Sequence, residues 1–185
     1  MLKLYGGQFS RASIVQWYLE ELGVPYEYVL LDMKAGEHQK PEFLAINPVG
    51  KVPAIVDGDF ILWESGAILL YLAEKYGDPN LSLETRSHIN QWILYGNATL
   101  GPEIFSEATR ESAFSRHMTV LNQHLQQHPF LLGDQFGAAD VAVGALLAYI
   151  PLMLKLDFQD YPAVQAYVQR LSERPAYQKA IAKRV

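Results

Sequence analysis

The chain has 185 residues and no cysteine, is 50% hydrophobic and 19% charged, and carries a formal net charge of −5 at pH 7. That composition fits an ordinary folded protein with enough chain to bury a real core in one large or two small domains. The acidic balance argues against nucleic acid as a partner, and the missing thiols exclude disulfides, cysteine nucleophiles and thiolate metal sites. No run of about 18 apolar residues predicts a membrane span and no charged-then-apolar leader predicts secretion, so a cytoplasmic location without membrane attachment is expected.

Leu2 to Tyr5 is a short β-run, broken by Gly6-Gly7. Ser10 then precedes a helical pattern, with Ile14, Trp17, Tyr18 and Leu22 on one face, stopped by Gly23 and Pro25. Tyr26 to Leu31 reads as a second strand, and Pro41 to Ile46 as a short helix with proline in its first turn. Val52-Pro53 enters a buried strand, Ala54 to Val56; proline there belongs at a strand edge, and the X-Pro bond is a candidate cis peptide. Asp57-Gly58 between two β-rich runs predicts a hairpin with both turn residues at positive φ, followed by a strand from Phe60 to Leu62. A helix from Glu64 to about Tyr76 comes next, and Gly77-Asp78-Pro79-Asn80 punctuates its end. An exposed strand edge followed by a helix N-terminus suits an extended peptide with a carboxylate at one end.

Beyond Leu83 the pattern is helical only. Ile89, Trp92, Ile93, Leu100 and Ile104 space out a long helix, which Gly101-Pro102 should bend. A helix from about Glu111 to Gln127 ends before Pro129. The helix carrying Asp140, Val141, Val143, Leu146, Leu147 and Ile150 is apolar on almost every face, which predicts the buried centre of the second half. Two short helices follow, around Pro162 to Leu171 and Pro175 to Ala182.

Asn47-Pro48-x-Gly50-Lys51-Val52-Pro53, the hairpin, and Glu64-Ser65-x-Ala67-Ile68-x-x-Tyr71-Leu72 resemble the glutathione-binding half of the soluble glutathione transferases. Leu131-Leu132-Gly133-Asp134 and Ala138-Ala139-Asp140 resemble the element that caps the central helix of their second domain, with Gly137 at the usual Ser/Thr cap position. The resemblance implies a thioredoxin-like βαβαββα domain with a mixed four-stranded sheet over residues 1–77. It also implies an all-α domain over 84–185, carrying the electrophile-binding surface. It further implies a homodimeric cytoplasmic detoxification enzyme that uses glutathione as co-substrate and no metal.

By this resemblance Ser65 and the amides opening its helix would take the γ-glutamyl carboxylate. Glu64 would face the ammonium, Val52 ahead of Pro53 would pair with the cysteinyl backbone, and Lys51 and His38 would take the glycyl carboxylate. Taken singly, Ser65 reads as an ordinary cap, Lys51 as a solvated lysine and His38 as a loop residue. The ordered run is what turns the reading toward a peptide site. A thiol with a pKa of about 8.5 needs a donor that prefers its thiolate. Gly6-Gly7-Gln8-Phe9-Ser10-Arg11-Ala12 resembles the theta-class run, but the catalytic serine falls on Gly7, and the beta-class cysteine falls on Phe9. Ser10 is therefore the first candidate, with Arg11 in support. This Ser-Arg pair, in a short chain without cysteine, looks most like the chi class of cyanobacteria. Tyr5 matches a strand tyrosine of several classes, and its ring is expected to pack under the sheet.

The second substrate would lie between Gln8-Phe9 and the kinked helix, whose Tyr95, Thr99 and Glu103 share the face opposite the apolar stripe. Isothiocyanates, aryl halides or organic hydroperoxides suit a site that makes a thiolate. Thiol-transferase chemistry is set aside because those relatives work through a cysteine. A non-catalytic binding and dimerisation module is the other reading, kept open by Gly7.

Overall fold

The structure is a computed structural model and describes residues 1–182. The chain divides into two compact units, Met1–Pro79 together with the stretch from Gln178, and Asn80–Tyr177. The first unit contains β1 (Leu2–Gly6), α1 (Ala12–Leu22), β2 (Tyr26–Leu30), a 3₁₀ turn (Glu37–Gln39), α2 (Pro41–Leu44), β3 (Ala54–Asp57), β4 (Phe60–Trp63) and α3 (Ser65–Tyr76). Its strands form one sheet in the order β2-β1-β3-β4, with β1 parallel to β2 and the other pairs antiparallel. This is the expected thioredoxin-like, mixed four-stranded architecture.

Alternation in β1 buries Leu2 and Leu4, the strand packs on α1, and α1 packs in turn on α3; Val15, Leu19, Ile68, Leu69 and Leu72 of these helices are also fully buried. Each such side chain stabilises the unit by roughly 1.5–3 kcal/mol relative to exposure. Gly23 ends α1 in the left-handed conformation at φ 64, as its sequence position anticipates. Tyr5 points to the other side of the sheet and meets the Phe43 ring of α2 at 5.9 Å. Lys179 bonds Glu20 of α1 at 2.7 Å, one tie between the stretch from Gln178 and the first unit.

Two sequence expectations change here. β3 is an inner strand, and the Val52-Pro53 bond, which is cis, sits just ahead of its first pair. Proline there removes no ladder donor, so no edge position is needed. The hairpin link is Gly58-Asp59, since Asp57 pairs with Phe60 and only Gly58 has positive φ. A glycine with positive φ in the first turn position suits a two-residue hairpin link whose twist matches that of the strands.

The second unit contains α4 (Leu83–Leu94), a π-helical segment (Tyr95–Leu100), α5 (Gly101–Phe105), α6 (Arg110–Leu125), α7 (Ala138–Leu154), α8 (Pro162–Ser172) and the start of α9 (Pro175–Ala180). The expected bend at Gly101-Pro102 takes the form of a widened π turn ending there. Proline has no N–H for the carbonyl one turn back, so the ladder loosens upstream of it. α7 is the buried centre: Val141, Val143, Leu147 and Ile150 are all 0% exposed. Gly137 has no capping side chain. Asp140 substitutes by accepting from the Gly137 and Leu131 amides and the Tyr167 hydroxyl, each at 2.9 Å.

Candidate functional site

Strand register decides which loops meet. β1 and β3 are antiparallel with Tyr5 opposite Ala54, β3 and β4 are antiparallel with Ala54 opposite Trp63, and β2 runs parallel to β1 with Leu30 opposite Gly6. Four segments therefore sit at one end of the sheet. They are Gly7 to Arg11 after β1, the loop after β2 that holds His38, Lys51 to Pro53 before β3, and Glu64-Ser65 after β4. Gln8, Phe9, Ser10, Arg11, His38, Lys51, Val52, Pro53, Glu64 and Ser65 are thereby gathered from distant parts of the sequence.

At the β1 exit, Gly6 and Gly7 are buried while Gln8 and Phe9 are exposed. The Ser10 hydroxyl accepts from the Gly7 amide at 3.0 Å and donates to the Gly7 carbonyl at 3.1 Å. It also lies 3.4 Å from the Ala12 amide, at the start of α1. Ser10 thus ties the loop to the helix, and its single hydrogen reaches a sulfur only by turning away from Gly7. Tyr28 holds the same carbonyl at 3.3 Å. Arg11 is exposed at the head of α1.

At the β3 entrance, buried Asn47 shapes the loop: its amide donates to the Lys51 carbonyl at 2.7 Å and its oxygen accepts from the Val49 amide at 3.0 Å. Gly50 has φ 66, and a Cβ there would lie 2.6 Å from Gln39 Nε2, which itself bonds the Gly50 carbonyl at 3.1 Å. Lys51 is exposed and Val52 half-buried. His38 precedes Gln39 in the 3₁₀ turn, and its buried Nδ1 has no hydrogen-bond partner among the described residues.

At the β4 exit, Glu64 has φ 74 and ψ 118, left-handed for a side-chain-bearing residue, at a cost of about 1–3 kcal/mol. This kink makes Glu64 the boundary residue and moves Ser65 into the first helical position, 4% exposed, so Ser65 is not the cap. The first amides of α3 have no carbonyl one turn earlier and add positive potential at this end of the sheet.

The remaining candidates, Tyr95, Thr99 and Glu103, belong to the second unit. The Tyr95 hydroxyl is 2.9 Å from His117 Nδ1, and His117 Nε2 is 2.8 Å from Glu103, which also pairs with Arg116. Burial, reinforced by the Glu103 charge, pushes the Tyr95 phenol up to about 12. The bond from His117, with the nearby Arg116 charge, holds the Glu103 carboxyl below its ordinary range despite some burial. Thr99 is half-buried and outside this chain of bonds. Sequence periodicity placed Tyr95 and Glu103 on one face but missed His117, because it says nothing about which α6 side chain meets them. Gln39, Met33 and Tyr28 were missed for the same reason.

Residues 1–74 match the family model for the glutathione S-transferase N-terminal domain, and residues 106–170 match that for its C-terminal domain. Glutathione S-transferase F9 of Arabidopsis thaliana is 30% identical, over 99% of this chain and 97% of its own. The chain belongs to the glutathione S-transferase family. Another relative, the disulfide-bond oxidoreductase YfcG of Escherichia coli, is 34% identical over 99% of this chain and 95% of its own. A glutathione transferase of Phanerochaete chrysosporium, solved in complex with oxidized glutathione, superposes with a TM-score of 0.88 at 28% identity. That match covers 99% of this chain and 96% of the fungal one.

Proposed function

We propose that this protein is an enzyme of the glutathione transferase kind, which holds glutathione at the sheet end of its first unit and activates the thiol toward small apolar electrophiles. The observation that carries this reading is the register, which brings the four loops of the resemblance to one place. Ser65 and the first amides of α3 bind the γ-glutamyl carboxylate, and Glu64 faces its ammonium. The Val52 backbone pairs with the cysteinyl residue, while Lys51 and His38 hold the glycyl carboxylate. Ser10, turned from Gly7 to the sulfur, donates to the thiolate, and Arg11 with the α1 amides adds positive potential. Each favours the ionised sulfur and raises its reactive fraction. Gln8 and Phe9, exposed beside the sheet-end site, are the first unit's candidates for holding the electrophile, and Tyr95, Thr99 and Glu103 are the second unit's. Isothiocyanates and aryl halides are the substrate class, with organic hydroperoxides as a further one. The Ser10-Arg11 pair aligns the chain with the theta-like and chi-class transferases.

The active form is a homodimer in the cytoplasm; for the dimer, the edge strand β4 leaves Ile61 and Trp63 exposed on one face and Phe60, against Tyr71, partly exposed on the other, an edge that a second copy would cover. Among the described residues no helix is long and apolar enough to cross a membrane.

The name of the Escherichia coli relative and the oxidized glutathione in the fungal complex favour a second reading, disulfide reduction without a protein cysteine. One glutathione thiolate attacks a disulfide RSSR, releasing RSH and leaving a mixed disulfide. A second thiolate attacks the glutathione sulfur of that intermediate, giving oxidised glutathione and the second RSH. Lack of a cysteine therefore does not by itself exclude thiol-disulfide exchange. Retention on immobilised glutathione, followed by assays with chlorodinitrobenzene, phenethyl isothiocyanate and a small disulfide, separates the readings. Conjugation supports transferase action and disulfide turnover alone supports the second reading. Retention without any turnover supports a non-catalytic module.

A further inference from the structure

The two residues assigned to the glycyl carboxylate stand on separate segments of the first unit, and one side chain joins those segments. His38 belongs to the 3₁₀ turn Glu37–Gln39, and Lys51 lies in the loop that runs from Asn47 to β3. Each segment is braced within itself. In the turn, the Gln39 amide donates to the Gly36 carbonyl at 2.9 Å, and the Glu37 carboxylate accepts from the Asp32 amide at 2.8 Å. In the loop, the Gly50 amide donates to the Asn47 carbonyl at 2.9 Å, and the Asn47 side chain donates to the Lys51 carbonyl at 2.7 Å.

The Gln39 carboxamide bridges the two. Its Nε2 donates to the Gly50 carbonyl at 3.1 Å, and no other hydrogen bond among the described residues joins the turn to the loop. The whole carboxamide is seated beside Gly50: a Cβ there would stand 2.6 Å from Nε2, 3.1 Å from Cδ and 3.2 Å from Oε1. Gly50 is buried and Gln39 exposed, so the bond is a surface strap over a buried turn. His38 brings no strap of its own, since its buried Nδ1 has no hydrogen-bond partner among the described residues.

We propose that Gln39 is a positioning residue for the glycyl end of glutathione: it holds the Lys51 loop in a fixed place relative to His38, and so favours the tripeptide over thiols that lack the glycine. The proposal rests on the glutathione site assigned above. Two loops grip a carboxylate best when both are already in place, because otherwise binding has to order one of them. Gln39 supplies that order in the free protein. Its loss should weaken binding by the share of one hydrogen bond, about 2-fold to 10-fold. A ligand without the glycyl carboxylate does not use Lys51 or His38, and the strap adds nothing to its binding. The Val52 contact is common to both kinds of ligand and is anchored two residues on, where Ala54 pairs with Tyr5 and Trp63.

The test is calorimetric titration of the wild type and Gln39→Ala with reduced glutathione and with γ-glutamylcysteine. Gln39→Ala should weaken glutathione about 2-fold to 10-fold and leave γ-glutamylcysteine unchanged. In conjugation assays it should raise the KM for glutathione at constant kcat, since the sulfur end is untouched. In a Lys51→Ala background the effect of Gln39→Ala should shrink, because the strap then has no cation to place. Amide exchange in the free protein reads the strap directly, and Gly50 should exchange faster in Gln39→Ala. Equal weakening of both ligands overturns the role by making Gln39 a general brace. Full additivity with Lys51→Ala overturns it by making Gln39 a contact in its own right, and an unchanged glutathione affinity overturns it outright. A wild type that binds neither peptide defeats the glutathione reading, whereas unaltered exchange at Gly50 with binding intact defeats the strap alone.

Discussion

Gly7 lies where the theta-class pattern carries its serine, and a Cβ there would lie 2.5 Å from Met33 Cγ. The space that would hold that hydroxyl is filled by a thioether side chain from the loop after β2, so the donor has to come from elsewhere. Ser10 is the nearest hydroxyl, and its bonds to both Gly7 backbone groups make it a brace in the free protein. Gly7→Ser should therefore lower stability by about 1–3 kcal/mol in denaturant unfolding, with most of the loss recovered when Met33→Ala is added. A loss untouched by Met33→Ala would contradict the crowding. Ser10→Ala should reduce kcat/KM for conjugation by about 10-fold, or 1.4 kcal/mol, in steady-state kinetics. An unchanged rate would move thiolate stabilisation to Arg11 or the helix amides. The positions of Ser10 and Arg11 at the head of α1 and of Ser65 at the head of α3 were legible in the sequence because motif spacing carries them. Met33 and Gln39 were not, since local pattern does not reveal what fills the space beside a glycine.

At the scale of the elements, Asp57 shows how a turn residue became a clamp. It ends β3, and its carboxylate accepts from Lys75 at 2.5 Å, Tyr71 at 2.9 Å and Tyr76 at 3.3 Å, fastening the hairpin to α3. The Lys75 bond, reinforced by the two phenols against some burial, holds the Asp57 carboxyl below the ordinary range. A carboxyl whose pKa is lower folded than unfolded adds stability above its unfolded value of about 3.9, and that contribution is lost as pH falls through the folded value. Asp57→Asn should destabilise at neutral pH, and the gap from wild type should narrow below about pH 4 in denaturant unfolding. An equal gap at both pH values would contradict the clamp. The Asp-Gly pair announced the hairpin, but its register depended on which residue served the clamp. The same limit applies to Gly101-Pro102: the break was legible, while its π form depends on packing against α7, where Gly96 lies 3.4 Å from the Ala142 carbonyl if given a Cβ.

For the whole molecule, the succession of a βαβαββα pattern and then helices alone was enough to read the architecture. Alternating and helical periodicities are set by burial within each element. The proposed association with a second copy has a weaker trace in the sequence; its support is β4 as an edge, with Phe60 45%, Ile61 42% and Trp63 36% exposed. Light scattering should give twice the mass of the chain for the wild type and the mass of one chain for Ile61→Lys. A monomeric wild type would remove the homodimer. The claim on which the function depends is that glutathione lies at one end of the first unit's sheet, and a backbone-amide NMR titration with reduced glutathione tests it most directly. The predicted result is saturable shifts grouped at Gly7 to Arg11, His38, Lys51 to Val52 and Glu64 to Gly66. No shifts at millimolar glutathione, or shifts grouped elsewhere, would contradict it.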